Sequence, residues 1–432
     1  MDKDYATRLH WFRQFKGSAK RRKKVLIVGI DIAKDKHHAF MGTADGRSLR
    51  RRLIFENSLN GFADLLSHAN RHLSSQDLGD VVFGVEPTSV YHKPLAEYLI
   101  TMGYRVVYVT NNAIKKNRAL LDGRWDKNDT KDAANVADLV SRGKCHFYDF
   151  VDLHLRDIRN LLSLRKRLKK QEHRLMSRIR NNLVAQYFPE LDRAWYSCKH
   201  ENLSIVRWCL WPAKITQIGF DEFCRMVTTR RRGIGQYQRL RHIYQVADES
   251  VGCATGASVD LEAKLLVDSL LIVRSHIDLI AQQLHSSCQA YCREYEILQT
   301  IPGFGPFVAA SVLGSIGYAQ RFENAKQVLR LAGLDLNAKR SGKSSRTAVP
   351  VISKNGKADL RYALYQAAKV ATGITTEFKA YFAYLLQGRE KEKGIITKMR
   401  VKVAAKMLVI AWTMLKTMQP YQPGLLRYDG PV

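Results

Sequence analysis

The sequence lacks any apolar run long enough to cross a bilayer; its longest, residues 407–415, falls far short of the roughly 20 residues a spanning helix needs. The basic run at residues 20–24 precedes only VLIVGI before Asp31 intervenes, which is too brief for the apolar core of a secretory signal. No membrane partner is expected. Cysteine is scarce as well: an odd, scattered set of seven without a C-x-x-C pair points to reduced thiols in the cytoplasm rather than a disulfide framework. Cys288 and Cys292 sit one helical turn apart near His285, a spacing open to a metal, but Cys288 also continues an apolar helical stripe, which argues for core. Internal repeats and low-complexity segments are absent. Negative charge is in short supply, with 40 Asp plus Glu against 70 Lys plus Arg and a net charge of +30. Such a field makes a polyanion the default partner, and nucleic acid the first candidate.

A glycine is missing where a nucleotide-binding loop would need it. KRSGKSSRT, residues 339–347, ends like a Walker A loop, yet the position five residues before Gly342 is Asn337. What is present instead is a basic loop in which Lys339, Arg340, Lys343 and Arg346 surround Ser341, Gly342, Ser344 and Ser345. The cations suit phosphates. A serine among them is either a phosphate contact or a nucleophile.

With 432 residues and 46% apolar content the chain can bury two or three cores. Residues 1–24 read as a basic arm without clear periodicity. From Val25 the pattern changes to a buried strand VLIVGIDIA, a strand HHAFMGT, a turn on Asp45-Gly46 and a strand RRLIFEN. A helix at about 58–73, the strand VVFGVE, a helix around 93–102, the strand RVVYVT and a helix at about 130–142 follow. Three hairpin-linked strands followed by alternating helices and strands predict an α/β layer with a mixed sheet, the order of ribonuclease-H-like folds. Past Tyr148 the strands stop, so the rest is expected to be all-α. Residues 155–186 read as one long helix of about 50 Å, and Leu266, Leu270, Val273, Ile277, Ile280 and Leu284 form a second seam at coiled-coil spacing. Between them, residues 190–257 are a tryptophan-bearing insert.

Asp31 closes the first apolar strand, Glu86 follows VVFGV, and Asp129 and Asp132 lie three apart at a helix start. Carboxylates so placed are hard oxygen ligands of the kind Mg²⁺ prefers, and paired ions can flank a scissile phosphate. The plainer alternative makes Asp129 and Asp132 an N-cap and its N3 partner, and Asp31 a turn residue. Further along, IPGFGPFVAASVLGSIG places Gly303 and Gly305 between two apolar helical segments, which matches a helix-hairpin-helix whose glycines admit a phosphate, or else a plain turn in a bundle.

The succession GIDIAKDKH, VEPTSVYHKPLAEYL, KNDTKDAANVADL, IPGFGPFVAASVLGSIG and AGLDLNAKRSGKSS with ISKNGKADLRYAL resembles the DEDD transposases of a bacterial insertion-sequence family, the bridge-RNA-guided recombinases, over residues 25–419. The resemblance implies a RuvC-like catalytic domain at 25–148, a coiled-coil region at 149–297 and a helical DNA-binding transposase domain at 298–432. It implies an acidic tetrad of Asp31, Glu86, Asp129 and Asp132 holding Mg²⁺, with Ser341 as the nucleophile; from the loop's own chemistry Ser344 is the other candidate. Gly303, Gly305, Lys339, Arg340, Lys343, Ser344, Arg346, Lys354, Lys357 and Arg361 would then contact nucleic acid. The implied partners are target and donor DNA, a noncoding bridge RNA and three further copies of the chain in a dimer of dimers, near the bacterial nucleoid. Two other readings stay open: a RuvC-like junction resolvase in which metal-activated water attacks, and a nucleic-acid-binding scaffold whose carboxylates are all caps.

Overall fold

In a computed structural model the described residues are 3–19, 24–87, 89–121, 129–196, 200–228, 230, 233–337 and 351–426, with the side chains of 119–121, 129 and 130 outside the description. The chain divides into two compact units, Met1–Asp152 and Leu153–Val432.

The first unit is built on a six-stranded mixed sheet. Its elements are α1 (Lys3–Ser18), β1 (Val25–Asp31), β2 (Lys36–Thr43), β3 (Ser48–Glu56), α2 (Leu59–Ser75), β4 (Asp80–Val85), α3 (His92–Thr101), β5 (Arg105–Tyr108), α4 (Asn111–Leu121), α5 (Asp129–Ser141) and β6 (His146–Phe147). Strand order is β3-β2-β1-β4-β5-β6. β1, β4 and β5 run parallel, while β2, β3 and β6 pair antiparallel with their neighbours. This is the mixed sheet the strand pattern predicts, and it is consistent with a ribonuclease-H-like fold. The β2–β3 turn sits at Asp45-Gly46, with Gly46 at φ +96° where glycine carries no steric cost.

Side chains alternate across the sheet because a strand has a period of two. Leu26, Val28 and Ile30 of β1 and Val81, Phe83 and Val85 of β4 pack with Phe62 and Leu65 of α2 and Leu95 and Leu99 of α3. Val25, Ile27 and Val82 pack on the opposite face with Phe12 and Phe15 of α1 and Val136, Ala137 and Val140 of α5. The N-terminal segment is therefore not an arm. Tyr5, Arg8, Leu9, Phe12 and Phe15 are buried at helical spacing, Tyr5 donates to Asp149 at 2.7 Å, and Arg8 donates to the Phe150 carbonyl at 2.8 Å. An arginine among its members masks the stripe's apolar periodicity in the sequence.

Among the described residues the second unit is helical apart from one ribbon. α6 (Leu153–Arg178) continues through a π-helical segment (Ile179–Val184) into α7 (Ala185–Tyr187), so the long helix is real but contains a π turn. α13 (Ala257–Cys288) packs against it in the opposite direction: Arg178 meets Glu262 at 2.6 Å and Glu172 meets Arg274 at 3.1 Å. The buried seam of α13 is Ala263, Val267, Leu270, Val273, Ile277, Ile280, Leu284 and Cys288; Val267, not the expected Leu266, occupies the buried position. The insert forms α8 (Pro189–Arg193), α9 (Asn202–Cys209), α10 (Pro212–Ile218), α11 (Phe220–Val227) and α12 (Ile234–Asp248). Trp195, Ile205, Phe223 and Ile243 make its core against Ile179, Leu183 and Val267.

The remaining elements are α14 (Cys292–Gln299), α15 (Pro306–Ile316), α16 (Ala325–Ala332), the ribbon strands β7 (Leu336–Asn337) and β8 (Val351–Ile352), α17 (Ala358–Ile374), α18 (Thr376–Leu386) and α19 (Ile395–Thr417). Residues 407–415 are a core stripe of α19, with Met407, Leu408, Ala411 and Leu415 buried. No helix among the described residues is long and apolar enough to cross a membrane.

Candidate active site and nucleic-acid interface

Asp31 ends β1 and Glu86 directly follows β4, and these strands are parallel neighbours in which Ile30 pairs with Val85. The Glu86 amide donates to the Ile30 carbonyl at 3.3 Å, so the ladder carries the register one step past the last pair. Alternation then puts Asp31 and Glu86 on the face of Gly29 and Gly84, the face that α5 covers. Those glycines are why α5 lies so close. A Cβ at Gly29 would sit 2.2 Å from the Ala133 carbonyl oxygen, and one at Gly84 would sit 2.6 Å from Val140 Cγ2.

Asp129 opens α5, and its side chain is outside the described residues. Asp132, one turn later, is 2% exposed. Its carboxylate accepts from Arg118 of α4, at 2.6 Å from Nη2 and 2.9 Å from Nε. A second polar set clamps the same helix pair: Asn117 donates to Asn135 and to Asp138, each at 2.7 Å, and Asn135 donates to the Ile114 carbonyl at 2.9 Å. Asp132 thus directs its charge to another helix. Nothing local in the sequence marks Arg118 as a site residue; the amphipathic stretch NAIKKNRALL signals only the helix that carries it.

Among the described residues, which exclude the Asp129 carboxylate, no three His, Cys, Asp or Glu side chains form a group spaced to hold a metal ion. The donor chemistry nonetheless suits a divalent cation. Asp31 and Glu86 are half-buried hard oxygen donors at adjacent strand ends under a helix that starts with two more carboxylates. The Cys288, Cys292 and His285 trio is different. Cys288 is fully buried and its thiol is pushed up to about 12 by burial, Cys292 is exposed, and His285 packs edge-on against Tyr295. Cys288 is a core residue, as its place in the stripe suggested.

In the second unit α14 and α15 are joined by the turn that carries Gly303 and Gly305. Gly303 has φ +84°, and a Cβ there would lie 2.5 Å from the Ala367 carbonyl oxygen of α17, so internal packing already demands glycine. Gly305 precedes α15 with nothing within 4 Å of its Cβ position. Lys354, at φ +56°, belongs to a loop folded onto the end of α16, where its amide donates to the Gly333 carbonyl at 3.0 Å. Arg361 donates to the Ala332 carbonyl at 2.7 Å, and Lys357 Nζ lies 3.3 Å from the Ser315 carbonyl. These cations sit at helix C-termini, where the dipole favours them. Lys339, Arg340, Ser341, Lys343, Ser344 and Arg346 lie outside the described residues. The ribbon on either side of them is described: Leu336 pairs with Ile352 and Asn337 with Val351.

Comparison with known proteins bears on both regions. Residues 28–189 match a family described as transposase of the DEDD type, and residues 295–383 match the transposase IS116/IS110/IS902 family. The 44.8 kDa protein of insertion element IS116 from Streptomyces clavuligerus is 23% identical over 92% of this chain and 96% of its own length. The 43.6 kDa protein of insertion element IS110 from Streptomyces coelicolor is 23% identical over 90% of this chain and 94% of its own length. The transposase for insertion sequence element IS1111A from Coxiella burnetii is 24% identical over 69% of each chain. With the acidic strand ends and the start of α5 inside the first match and the ribbon, α15 and α17 inside the second, the chain belongs to the IS110/IS116 family of DEDD transposases, enzymes that act on DNA and whose acidic set implies a divalent metal.

Proposed function

We propose that the chain is an RNA-guided recombinase that inserts and excises its element through a serine–DNA covalent intermediate. One observation carries the catalytic half of this reading: Asp31 and Glu86 occupy adjacent register at the ends of β1 and β4, on the face covered by the helix that begins with Asp129 and Asp132. Asp31, Glu86, Asp129 and Asp132 would hold Mg²⁺, which when bound supplies Lewis-acid stabilisation of charge on the scissile phosphate. Ser341 attacks phosphorus and releases a 3′-hydroxyl, which later attacks the phosphoserine of another strand to complete exchange. Lys339, Arg340, Lys343 and Arg346 balance the charge that develops on the phosphate oxygens. Gly305 with the start of α15, Lys354 and Arg361 position DNA in a helix-hairpin-helix manner. The α6–α13 hairpin acts as a coiled coil within a tetramer, and the +30 net charge suits a bound noncoding RNA.

The test uses the protein with its element's RNA, Mg²⁺ and a nicked suicide DNA. Wild type should leave a covalent protein–DNA adduct on denaturing gels. Ser341→Ala should bind both nucleic acids and form none, and Asp31→Asn should bind but neither cleave nor couple. An adduct that persists in Ser341→Ala moves the chemistry to another residue. Cleavage by wild type without an adduct favours the water-using resolvase, and unchanged site choice without RNA removes guidance.

A further inference from the structure

Within the second unit, α6, α15 and α17 enclose a cleft of about 810 Å³. Six cations line it: Arg159, Arg165, Lys166, Lys169, Lys170 and Lys357. Two of them are used internally, since Arg159 donates to the Gly314 carbonyl at 2.8 Å and Lys357 lies 3.3 Å from the Ser315 carbonyl. Two more make ion pairs that are exposed or partly so, Lys166 with Asp359 at 2.9 Å and Lys169 with Glu172 at 2.7 Å. Pairs of that kind are weak and readily exchanged. Lys170 makes no ion pair among the described residues, and Arg165 interacts with the Glu172 carboxylate only at longer range, outside ion-pair distance. Arg165 is half-buried, with its guanidinium carbon 3.9 Å from the centre of the Phe307 ring. Burial lowers its basicity, so an anion in the cleft would relieve a real cost.

The second observation is aromatic. Tyr362 lines the same cleft and is 62% exposed. Lysines that track phosphates beside an open ring and an arginine–aromatic stack form the combination that binds single strands, because every unpaired base has a π-face to offer. A small anion would satisfy the cations but make no use of the exposed face of Tyr362, whose hydroxyl end already neighbours Arg165. A duplex keeps its bases stacked on each other, so it cannot use the ring.

We propose that this cleft holds a single-stranded nucleic-acid segment, with an unstacked base on Tyr362 and its phosphates on Lys166, Lys169 and Lys170. The inference rests on the reading that nucleic acid is the partner, and adds where an unpaired base is held.

The experiment takes the full chain freed of nucleic acid, with oligomers of about 12 nucleotides carrying 5-iodouridine or 5-iododeoxyuridine. Photo-crosslinking followed by peptide mapping should place an adduct at Tyr362. Tyr362→Ala should lose that crosslink and weaken single-strand binding roughly tenfold, with duplex binding unchanged. Tyr362→Trp should restore both. Crosslinking by RNA alone identifies a ribose-dependent guest, and equal crosslinking by both arms identifies any single strand; each supports the cleft. Unaltered affinity in Tyr362→Ala, or crosslinks only elsewhere, overturns it, and displacement by polyglutamate with loss of the same contact assigns the cleft to an acidic peptide. Binding of no nucleic acid by wild type sinks the proposed function as well, whereas binding in which Tyr362 is silent sinks this inference alone.

Discussion

Asp132 keeps only 3% of its side chain exposed, and its charge is tolerable there because Arg118 lies 2.6 Å away. Removing one partner of a buried pair leaves the other uncompensated, at a cost of about 3 kcal/mol. Arg118→Ala should therefore lower the melting temperature, and Mg²⁺ should recover more of the loss than it adds to wild type, because the proposed cation takes over the arginine's neutralising role. Equal Mg²⁺ shifts in the two proteins would show that Asp132 is a structural partner of Arg118 and not a ligand. Asp132→Asn differs in kind, since it retains a polar acceptor for Arg118 and should cost less stability while abolishing strand cleavage. The aspartate was legible from its spacing to Asp129. Its arginine was not, because 14 residues and a helix boundary separate Arg118 from Asp132 and only folding brings them together.

Among the elements, α5 has the most exacting seat. It lies against β1 and β4 because glycines stand at both crossing points, and a Cβ at Gly29 would meet the Ala133 carbonyl oxygen at 2.2 Å, where no flexible atom can yield. Gly29→Ala should push α5 outward, costing about 1–3 kcal/mol, and should reduce cleavage further than the stability loss explains, since Asp129 and Asp132 move with the helix. Gly17→Ala is the control. Nothing lies within 4 Å of its Cβ position in α1, so it should stabilise by up to about 1 kcal/mol. Cleavage per folded molecule, measured on both variants, checks the pair; full activity in Gly29→Ala would mean that the acids do not depend on the close approach. The strand VLIVGID announced itself as buried, yet it did not say that Gly29 was a crossing point. α1 is hidden for a related reason: its buried face includes Arg8, whose burial is explained by the Asp4 carboxylate and the Phe150 carbonyl that receive it and by the Tyr5, Phe147 and Phe150 rings around it.

At the scale of the molecule, histidines of the first unit tie its stability to pH. His37, His68, His72 and His146 are all held below the usual histidine range, burial being the largest cause in each case, with Arg50 adding repulsion at His68 and His72 and Lys16 at His146. His37 is fully buried, its Nδ1 accepts from the Ala33 amide at 3.2 Å, and its ring packs between Phe55 and Phe62. A depressed histidine means that the unfolded chain binds more protons, so stability is complete above the unfolded value near 6.5 and declines as pH falls through the folded one. Amide exchange in β1 and β2 should therefore accelerate between pH 7.5 and 5.5 after correction for the intrinsic rate, and His37→Gln should reduce that slope. An unchanged slope would place the pH sensitivity elsewhere.

The sequence by itself determined what depends on neighbours in the chain. Strand and helix periods, the Asp45-Gly46 turn, the basic excess and the order of the acids are local patterns, and the continuous apolar runs VLIVGI and VVFGV put Asp31 and Glu86 at strand ends. Tertiary structure alone decided what depends on distant residues meeting. It set the parallel pairing that brings β1 and β4 side by side, the seating of α5 on two glycines, the Arg118 partner of Asp132 and the union of Arg165 with Phe307 and Tyr362 in one cleft. The division is physical: backbone periodicity is written into a few adjacent residues, whereas burial, ion pairing and clefts arise only when elements far apart in the chain exclude water together.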